Sequence, residues 1–241
     1  MARVVAFVQA RTGSTRLPGK IFADLAGRDM LEHVMRRATA AREVEEVWVA
    51  TTDRPGDDTV VERCRQAGWP CARGSEHDVL ARFYHAAERA AADVVVRLTS
   101  DCPLLDPEVI DAVVEALHGA DYATNTLPPR TFPRGLDVEA FSFAALERAF
   151  REDNDPRTRE HVTPYLYRNP DRFALRAVTH SEVLGDLRWT VDTEEDLNLL
   201  RRMLEGIAPD DFSWHSALAL YRAHPEWHAI NQAIGQKEVP G

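Results

Sequence analysis

The sequence predicts an α/β protein built on a parallel sheet, and three observations lead there. The chain opens on a short apolar, β-branched run at residues 4–8 (Val-Val-Ala-Phe-Val), the pattern of a buried strand. Strand-like runs then alternate with segments of helical period, giving β-α-β-α-β over the first 72 residues, an order that implies parallel strands with right-handed crossovers. The clearest central strand, residues 93–99 (Asp-Val-Val-Val-Arg-Leu-Thr), runs directly into a polar turn. At 241 residues and 44% hydrophobic content the chain is one large α/β domain, or one domain with a small appendage.

The elements follow in order. After the first strand comes a loop, residues 11–20, with two glycines, one proline, three small hydroxyl residues and three cations. Residues 31–41 place Leu31, Val34, Met35 and Ala38 at helical spacing. Residues 45–51 read as a strand and 59–67 as a helix closed by Gly68. A short strand at 70–72 leads into a second polar loop, 73–78 (Arg-Gly-Ser-Glu-His-Asp), and a helix at 79–91. Pro107 opens the helix after the central strand, with Asp106 as its N-cap. Residues 121–125 read as a strand, and 126–135 as a loop too rich in Pro and Gly for a helix or central strand. Residues 136–141 read as a strand with Asp137 and Glu139 on one face, and Ser142 caps a helix at 143–152. A helix at 157–167 is interrupted by Pro164, strands are expected at 173–179 and 188–191, and a helix at 197–204. Residues 212–234 read as two helices covering an edge of the core.

Composition excludes several function classes. A net charge of −10 argues against nucleic-acid binding, which needs basic stripes. No apolar run reaches 18 residues and no signal-peptide pattern is seen, so the expectation is a soluble, cytoplasmic chain without membrane partners. Cys64, Cys71 and Cys102 lack metal spacing and are expected as buried thiols, neither disulfide-bonded nor zinc-bound.

The loop at 11–20 carries the functional signal. Glycine lets backbone N–H groups approach a ligand, hydroxyls add donors, and Arg and Lys supply the charge that a polyphosphate needs. A solvated cationic turn is the bland alternative. Lys20 and Lys237 are the chain's two lysines among 29 basic residues, which suggests that position 20 needs a compact ammonium. The loop is neither a Walker A nor a G-x-G-x-x-G motif. Asp101 stands at the carboxyl end of the central strand, where open α/β sheets bind ligands. It reads either as a turn former or as a Mg²⁺ ligand, Mg²⁺ being a hard cation typically held by one or two carboxylates plus substrate phosphates. Asp192 has the same local setting, although N-capping of the following helix explains most of the acidic run 192–196. Glu160 and His161 are adjacent, and a lone histidine of this kind reads first as a hydrogen-bonded core or interface residue.

Gln9-Ala-Arg-Thr-Gly-Ser-Thr-Arg-Leu-Pro-Gly-Lys20 resembles the signature loop of the sugar-acid cytidylyltransferases, the CMP-KDO and CMP-acylneuraminate synthetase superfamily. Further segments resemble its SpsF (spore coat polysaccharide biosynthesis protein) branch in the same order: residues 73–83, 96–107 (Val-Arg-Leu-Thr-Ser-Asp-Cys-Pro-Leu-Leu-Asp-Pro), 132–139, 159–165 (Arg-Glu-His-Val-Thr-Pro-Tyr) and 187–197. The resemblance implies a single three-layer α/β/α nucleotidyltransferase domain of GT-A type over residues 1–241, with a mixed, mostly parallel sheet and 205–241 as a helical extension. It implies Mg²⁺ on Asp101 and Asp192. It also implies a triphosphate held by the loop, with Lys20, Arg11 and Asp101 as the catalytic set. The nucleotide site then takes in Gln9, Ala10, Arg11, Thr12, Gly13, Ser14, Arg16, Lys20, Arg73 and Ser100. The expected reaction joins CMP from CTP to a small acceptor (a sugar-acid hydroxyl, a phosphate or a phosphonate) and releases pyrophosphate. Arg134, Asp137 and Glu139 are the acceptor-site candidates. The chain lacks the His-x-Ser-Gly-Thr-Asp-Arg segment of the KDO synthetases, and has Asp-Cys-Pro where they have Asp-Glu-Pro. A nucleotidyltransferase using another NTP and a non-catalytic nucleotide-binding protein stay open. A glycosyltransferase would usually show an Asp-x-Asp here. Members of the family often form homodimers, with residues 165–173 or the C-terminal helices as the candidate interface here.

Overall fold

In the computed structural model, residues 2–235 are described. One seven-stranded sheet organises them, in the order β5-β4-β1-β6-β8-β7-β9. Strands β1 (Val4–Gln9), β4 (Glu46–Thr52), β5 (Cys71–Gly74) and β6 (Val94–Thr99) are mutually parallel. Strand β8 (Glu139–Ser142) runs antiparallel to β6 and to β7 (Tyr122–Thr124), and β9 (Leu175–Ala177) returns parallel to β7. A two-stranded hairpin, β2 (Asp24–Leu25) with β3 (Arg28–Asp29), precedes the first helix. The expected α/β class with a mixed, mostly parallel sheet is therefore the observed one.

Two apolar layers sandwich the sheet, and β1 shows why its sequence has no polar alternation. Val4, Ala6 and Val8 join one core cluster, while Val5 and Phe7 join the other. A parallel strand covered on both faces is apolar throughout. On one face lie α1 (Met30–Thr39), α2 (Asp58–Ala67), α4 (Pro107–Ala116), α8 (Glu194–Glu205) and α9 (Trp214–Ala223). On the other lie α3 (Val79–Arg89), α5 (Phe143–Glu152) and α7 (Pro164–Tyr167), with α6 (Pro156–Arg159) just before α7. The expected caps are in place: Asp106 accepts from the Glu108 N–H, Ser142 from the Ala145 N–H, and Gly68 closes α2 with φ 72°.

Four segments differ from expectation. Residues 188–191 form no strand, only an isolated bridge between Arg134 and Arg188. This stretch crosses the ends of the sheet, spending its backbone groups on loops: Trp189 N–H on Arg134 O at 2.7 Å and Val191 N–H on Asp101 O at 2.9 Å. The strand expected from 136 begins at Glu139, which leaves Asp137 in the preceding loop, and the one at 173–179 shortens to β9. The helix at 157–167 splits into α6 and α7 because Pro164 starts a new turn and Val162 adopts φ 71°, an outlier for a β-branched residue. The C-terminal helices do more than cover an edge. Trp214 N–H on α9 donates to Asp106 at 2.7 Å, and Asn231 on α10 (His228–Asn231) donates to Arg188 O and to Asp196, each at 2.9 Å. Lys237 and the end of the expected extension, 236–241, lie outside the described residues.

Candidate active site

Strands β1 and β6 end side by side, at Gln9 and Thr99, and the loops that follow them enclose two neighbouring clefts. The smaller, about 290 Å³, is lined by Gln9, Arg11, Ser14, Arg16, Lys20 and Ser100, among others. The larger, about 540 Å³, includes Arg97, Arg134, Asp137, Glu139, Thr163 and Tyr167 in its wall. Arg16, Thr99, Asp101, His161 and Asp192 line both.

The glycine-containing loop is shaped before any ligand arrives. Thr12 donates to Asp57 Oδ1 through both its N–H and its hydroxyl, each at 2.7 Å. The Ser14 and Gly19 N–H groups fold back onto Thr12 O at 2.9 and 3.0 Å. Gly19, at φ 70°, then turns the chain so that Lys20 enters the interior. Its ammonium donates to Asp101 Oδ2 at 3.1 Å, to Asp192 Oδ1 at 3.0 Å and to Val191 O at 2.6 Å. The two carboxylates, 91 positions apart in sequence, thus share one cation. Burial alone would lower the Lys20 pKa, but the charges of Asp101 and Asp192 outweigh it and raise it. Burial alone would likewise raise Asp192. The Lys20 ammonium, with Arg188 and Arg16 beside it, holds Asp192 below its usual range instead.

Asp192 is gripped from three sides. Arg16 pairs with its Oδ2 at 2.7 Å and Arg188 at 2.9 Å, while Lys20 takes Oδ1. Arg188 is itself fixed by a fork onto Asp196, both bonds at 2.9 Å, and Asp196 is wholly buried. Asp196 also closes the capping box of α8 with Thr193, so the acidic run serves helix and site together. Thr193 is the N-cap, which leaves Asp192 free for the centre.

The sequence-derived candidates separate cleanly. Gln9, Arg11, Ser14, Arg16, Lys20, Ser100, Asp101 and Asp192 meet around the smaller cleft, and Arg134, Asp137 and Glu139 in the larger. Ala10, Thr12, Gly13 and Arg73 line neither. Ala10 is buried, Thr12 is committed to Asp57, and Gly13 faces Glu76. Arg73 is spent on Thr52 O, Arg54 O and Asp58. Glu139 is less an open acceptor contact than a hub: Arg97, the Tyr122 hydroxyl and the Thr163 hydroxyl all donate to it. Arg97 is a site residue that sequence reasoning left without a role. Its signal was a guanidinium inside an otherwise apolar central strand. His161 is the other: it is half-buried at the junction of the clefts rather than hydrogen-bonded in a core.

Among the described residues, no cluster of three or more His, Cys, Asp or Glu side chains could hold a metal ion. The Asp101–Asp192 pair nevertheless fits Mg²⁺. Its donors are hard oxygens, one cation already sits between them, and two carboxylates leave room for phosphate oxygens. Cys64, Cys71 and Cys102 are all free thiols, as expected, with Cys71 only half-buried.

The family model for cytidylyltransferases matches residues 5–203. The chain belongs to the cytidylyltransferase family. It is 35% identical to the uncharacterized protein MJ1063 of Methanocaldococcus jannaschii, covering 98% of this chain and 97% of that one. It is 29% identical to the spore coat polysaccharide biosynthesis protein SpsF of Bacillus subtilis, covering 87% and 90%. A 3-deoxy-manno-octulosonate cytidylyltransferase of Anaeromyxobacter dehalogenans is 41% identical over 49% of each chain. Among solved structures, a cytidylyltransferase from Leptospira borgpetersenii superposes with a TM-score of 0.90 at 31% identity, over 99% of this chain and 100% of that one. The protein is thus an enzyme of CTP-dependent nucleotidyl transfer. No helix among the described residues is long and apolar enough to cross a membrane.

Proposed function

We propose that this cytidylyltransferase uses Mg²⁺ held by Asp101 and Asp192 to transfer CMP from CTP to a small, anionic, hydroxyl-bearing acceptor of the sugar-acid class, releasing pyrophosphate. The observation that carries the reading is the pair of carboxylates sharing one cation at the junction of two clefts whose walls both carry arginines. In a chain of net charge −10, Arg11, Arg16 and Lys20 gather around one cleft, and Arg97 and Arg134 in the other. These side chains offer direct charge-assisted partners to phosphate and carboxylate oxygens.

The roles follow from position. The smaller cleft suits the triphosphate, with Arg11 and Arg16 on its oxygens and the Ser14 hydroxyl as a further donor. Asp101 and Asp192 would hold the metal ion, and Lys20, released from them, would be in reach of the phosphates in the same cleft. When bound there, Mg²⁺ supplies Lewis-acid stabilisation of charge on phosphate oxygens. The larger cleft suits the acceptor. Arg134 is its free-facing cation, whereas Arg97 is half neutralised by Glu139. An acceptor carboxylate pairs with Arg134, and the Tyr167 hydroxyl suits a polyhydroxylated body.

Thermal melting with CTP, UTP, ATP and GTP, each with and without Mg²⁺, tests this reading. Ligand at a hundred times its dissociation constant adds about 2.7 kcal/mol, a shift of roughly 5–11 °C in a chain of this size. A Mg²⁺-dependent shift with CTP alone is expected. Pyrophosphate release with 3-deoxy-manno-octulosonate as the first acceptor follows. A shift with another nucleotide and none with CTP would refute the base assignment, and no shift with any would refute the site.

A further inference from the structure

Five side chains reach both clefts, so any atom that passes from nucleotide to acceptor does so among Arg16, Thr99, Asp101, His161 and Asp192. Four of them are poor acceptors of a proton at neutral pH. Asp101 and Asp192 are ion-paired with Lys20, and Arg16 is a guanidinium paired with Asp192. Thr99 is a hydroxyl at 3.2 Å from the Cys102 thiol. His161 differs. No hydrogen bond to another described residue engages its imidazole, and it is half-buried where the two cavities meet. The chain sets it there at a cost, since Val162 beside it is forced to φ 71°. Strain of this kind, about 1–3 kcal/mol, persists where surrounding structure dictates it and clusters at working sites.

We infer that His161 is the catalytic base that takes the proton from the acceptor's hydroxyl, and that the acceptor therefore reacts through a neutral hydroxyl rather than through an ionised phosphate or phosphonate oxygen. This inference rests on the nucleotidyl-transfer reading of the site. In the step, a lone pair of the acceptor oxygen forms the bond to the α-phosphorus. The bond from the α-phosphorus to the bridging oxygen breaks, and pyrophosphate leaves with that electron pair. The hydroxyl proton passes to the imidazole and on to solvent. An oxyanion acceptor brings no proton and would leave His161 without a task. The charged surroundings keep the ring ready. Burial pushes its pKa below the ordinary 6.5, Arg97 on β6 and Arg168 after α7 push the same way, and Glu160 and Glu139 oppose them incompletely. The imidazole is then neutral at pH 7, as a base must be.

The test compares wild type, His161→Gln and His161→Ala in pyrophosphate release from CTP and Mg²⁺, with 3-deoxy-manno-octulosonate, water and methyl phosphate as acceptors. With the two hydroxyl acceptors the wild-type rate is expected to rise with pH through an acid limb. Both variants should lose that limb and fall a hundredfold or more, while their CTP-induced melting shift stays at the wild-type value. Methyl phosphate should be turned over poorly by all three proteins. Variants that keep the wild-type rate and limb with a hydroxyl acceptor would overturn the inference while leaving the nucleotidyl-transfer reading intact. So would a wild type that prefers methyl phosphate. Release with no acceptor, water included, would overturn the site reading and this inference with it.

Discussion

Replacing Lys20 with methionine removes a charge while keeping a long, unbranched side chain, and its cost can be worked from the geometry. The ammonium lies 3.1 Å from Asp101 and 3.0 Å from Asp192, and the three side chains are 10%, 27% and 15% exposed. Each contact is worth about 5 kcal/mol of attraction at an effective dielectric of 20, before desolvation is subtracted. Removing one partner of a buried pair costs about 3–5 kcal/mol, because the other charge is left behind. Asp192 keeps Arg16 and Arg188, so its loss is cushioned. Asp101 has no other ion pair among the described residues and is left without a counter-charge of its own. About 3 kcal/mol is the expected net loss, or roughly 6–12 °C in melting temperature for a chain of this length. The assay is thermal unfolding of Lys20→Met in EDTA and in 10 mM Mg²⁺. In EDTA the variant should melt well below wild type. In Mg²⁺ most of the gap should close, since a divalent cation can take the vacated place. A variant as stable as wild type in EDTA, or one indifferent to Mg²⁺, would refute the reasoning.

Three further outcomes follow from the same geometry. The stability gap between wild type and Lys20→Met depends on pH: a carboxylate whose pKa drops on folding stabilises fully above its unfolded value. The gap should therefore be flat near neutrality and shrink as pH falls below 3.8 through the folded value of Asp192; it should also shrink above 10.5 as Lys20 loses its proton. Melting curves across pH check this, and a gap that grows in acid would contradict it. Glu139→Gln leaves Arg97 inside the wall of the larger cleft without its counter-charge, and should cost about 3–5 kcal/mol in chemical denaturation. Gly135 has φ 106°, and a Cβ there would lie 2.5 Å from the backbone carbonyl of Trp189. Gly135→Ala should therefore push apart the loop bearing Arg134 and the segment bearing Asp192. A melting loss of several degrees and loss of turnover are expected, and an unchanged melting temperature would argue against that contact.

What the sequence made legible were features with a local cause. Strands β1 and β6 are apolar because both faces are covered, and α4 and α5 announce themselves through Asp106 and Ser142. The loop after β1 stood out by its glycines, hydroxyls and cations, and most of its polar side chains do line the smaller cleft. What stayed hidden was how distant loops meet. Lys20 and Asp192 are separated by 172 positions, and nothing local tells that the lysine turns inward to bridge two carboxylates rather than outward toward solvent. Residues 188–191 looked like a strand because apolar Trp189 and Val191 alternate with polar Arg188 and Thr190, yet their backbone groups are used on loops. His161 was unreadable for the same reason. A half-buried imidazole and a core imidazole share one local sequence, and only the meeting of two clefts distinguishes them.

Calorimetric titration of CTP into wild type and Asp101→Asn, each in Mg²⁺ and in EDTA, tests most directly whether these two carboxylates and a metal form the nucleotide centre. Wild type should bind CTP at least tenfold more tightly in Mg²⁺ than in EDTA, a difference of about 1.4 kcal/mol or more. Asp101→Asn should bind CTP with one affinity in both. Wild type binding CTP equally well in EDTA, or Asp101→Asn keeping the full Mg²⁺ dependence, would contradict the central claim.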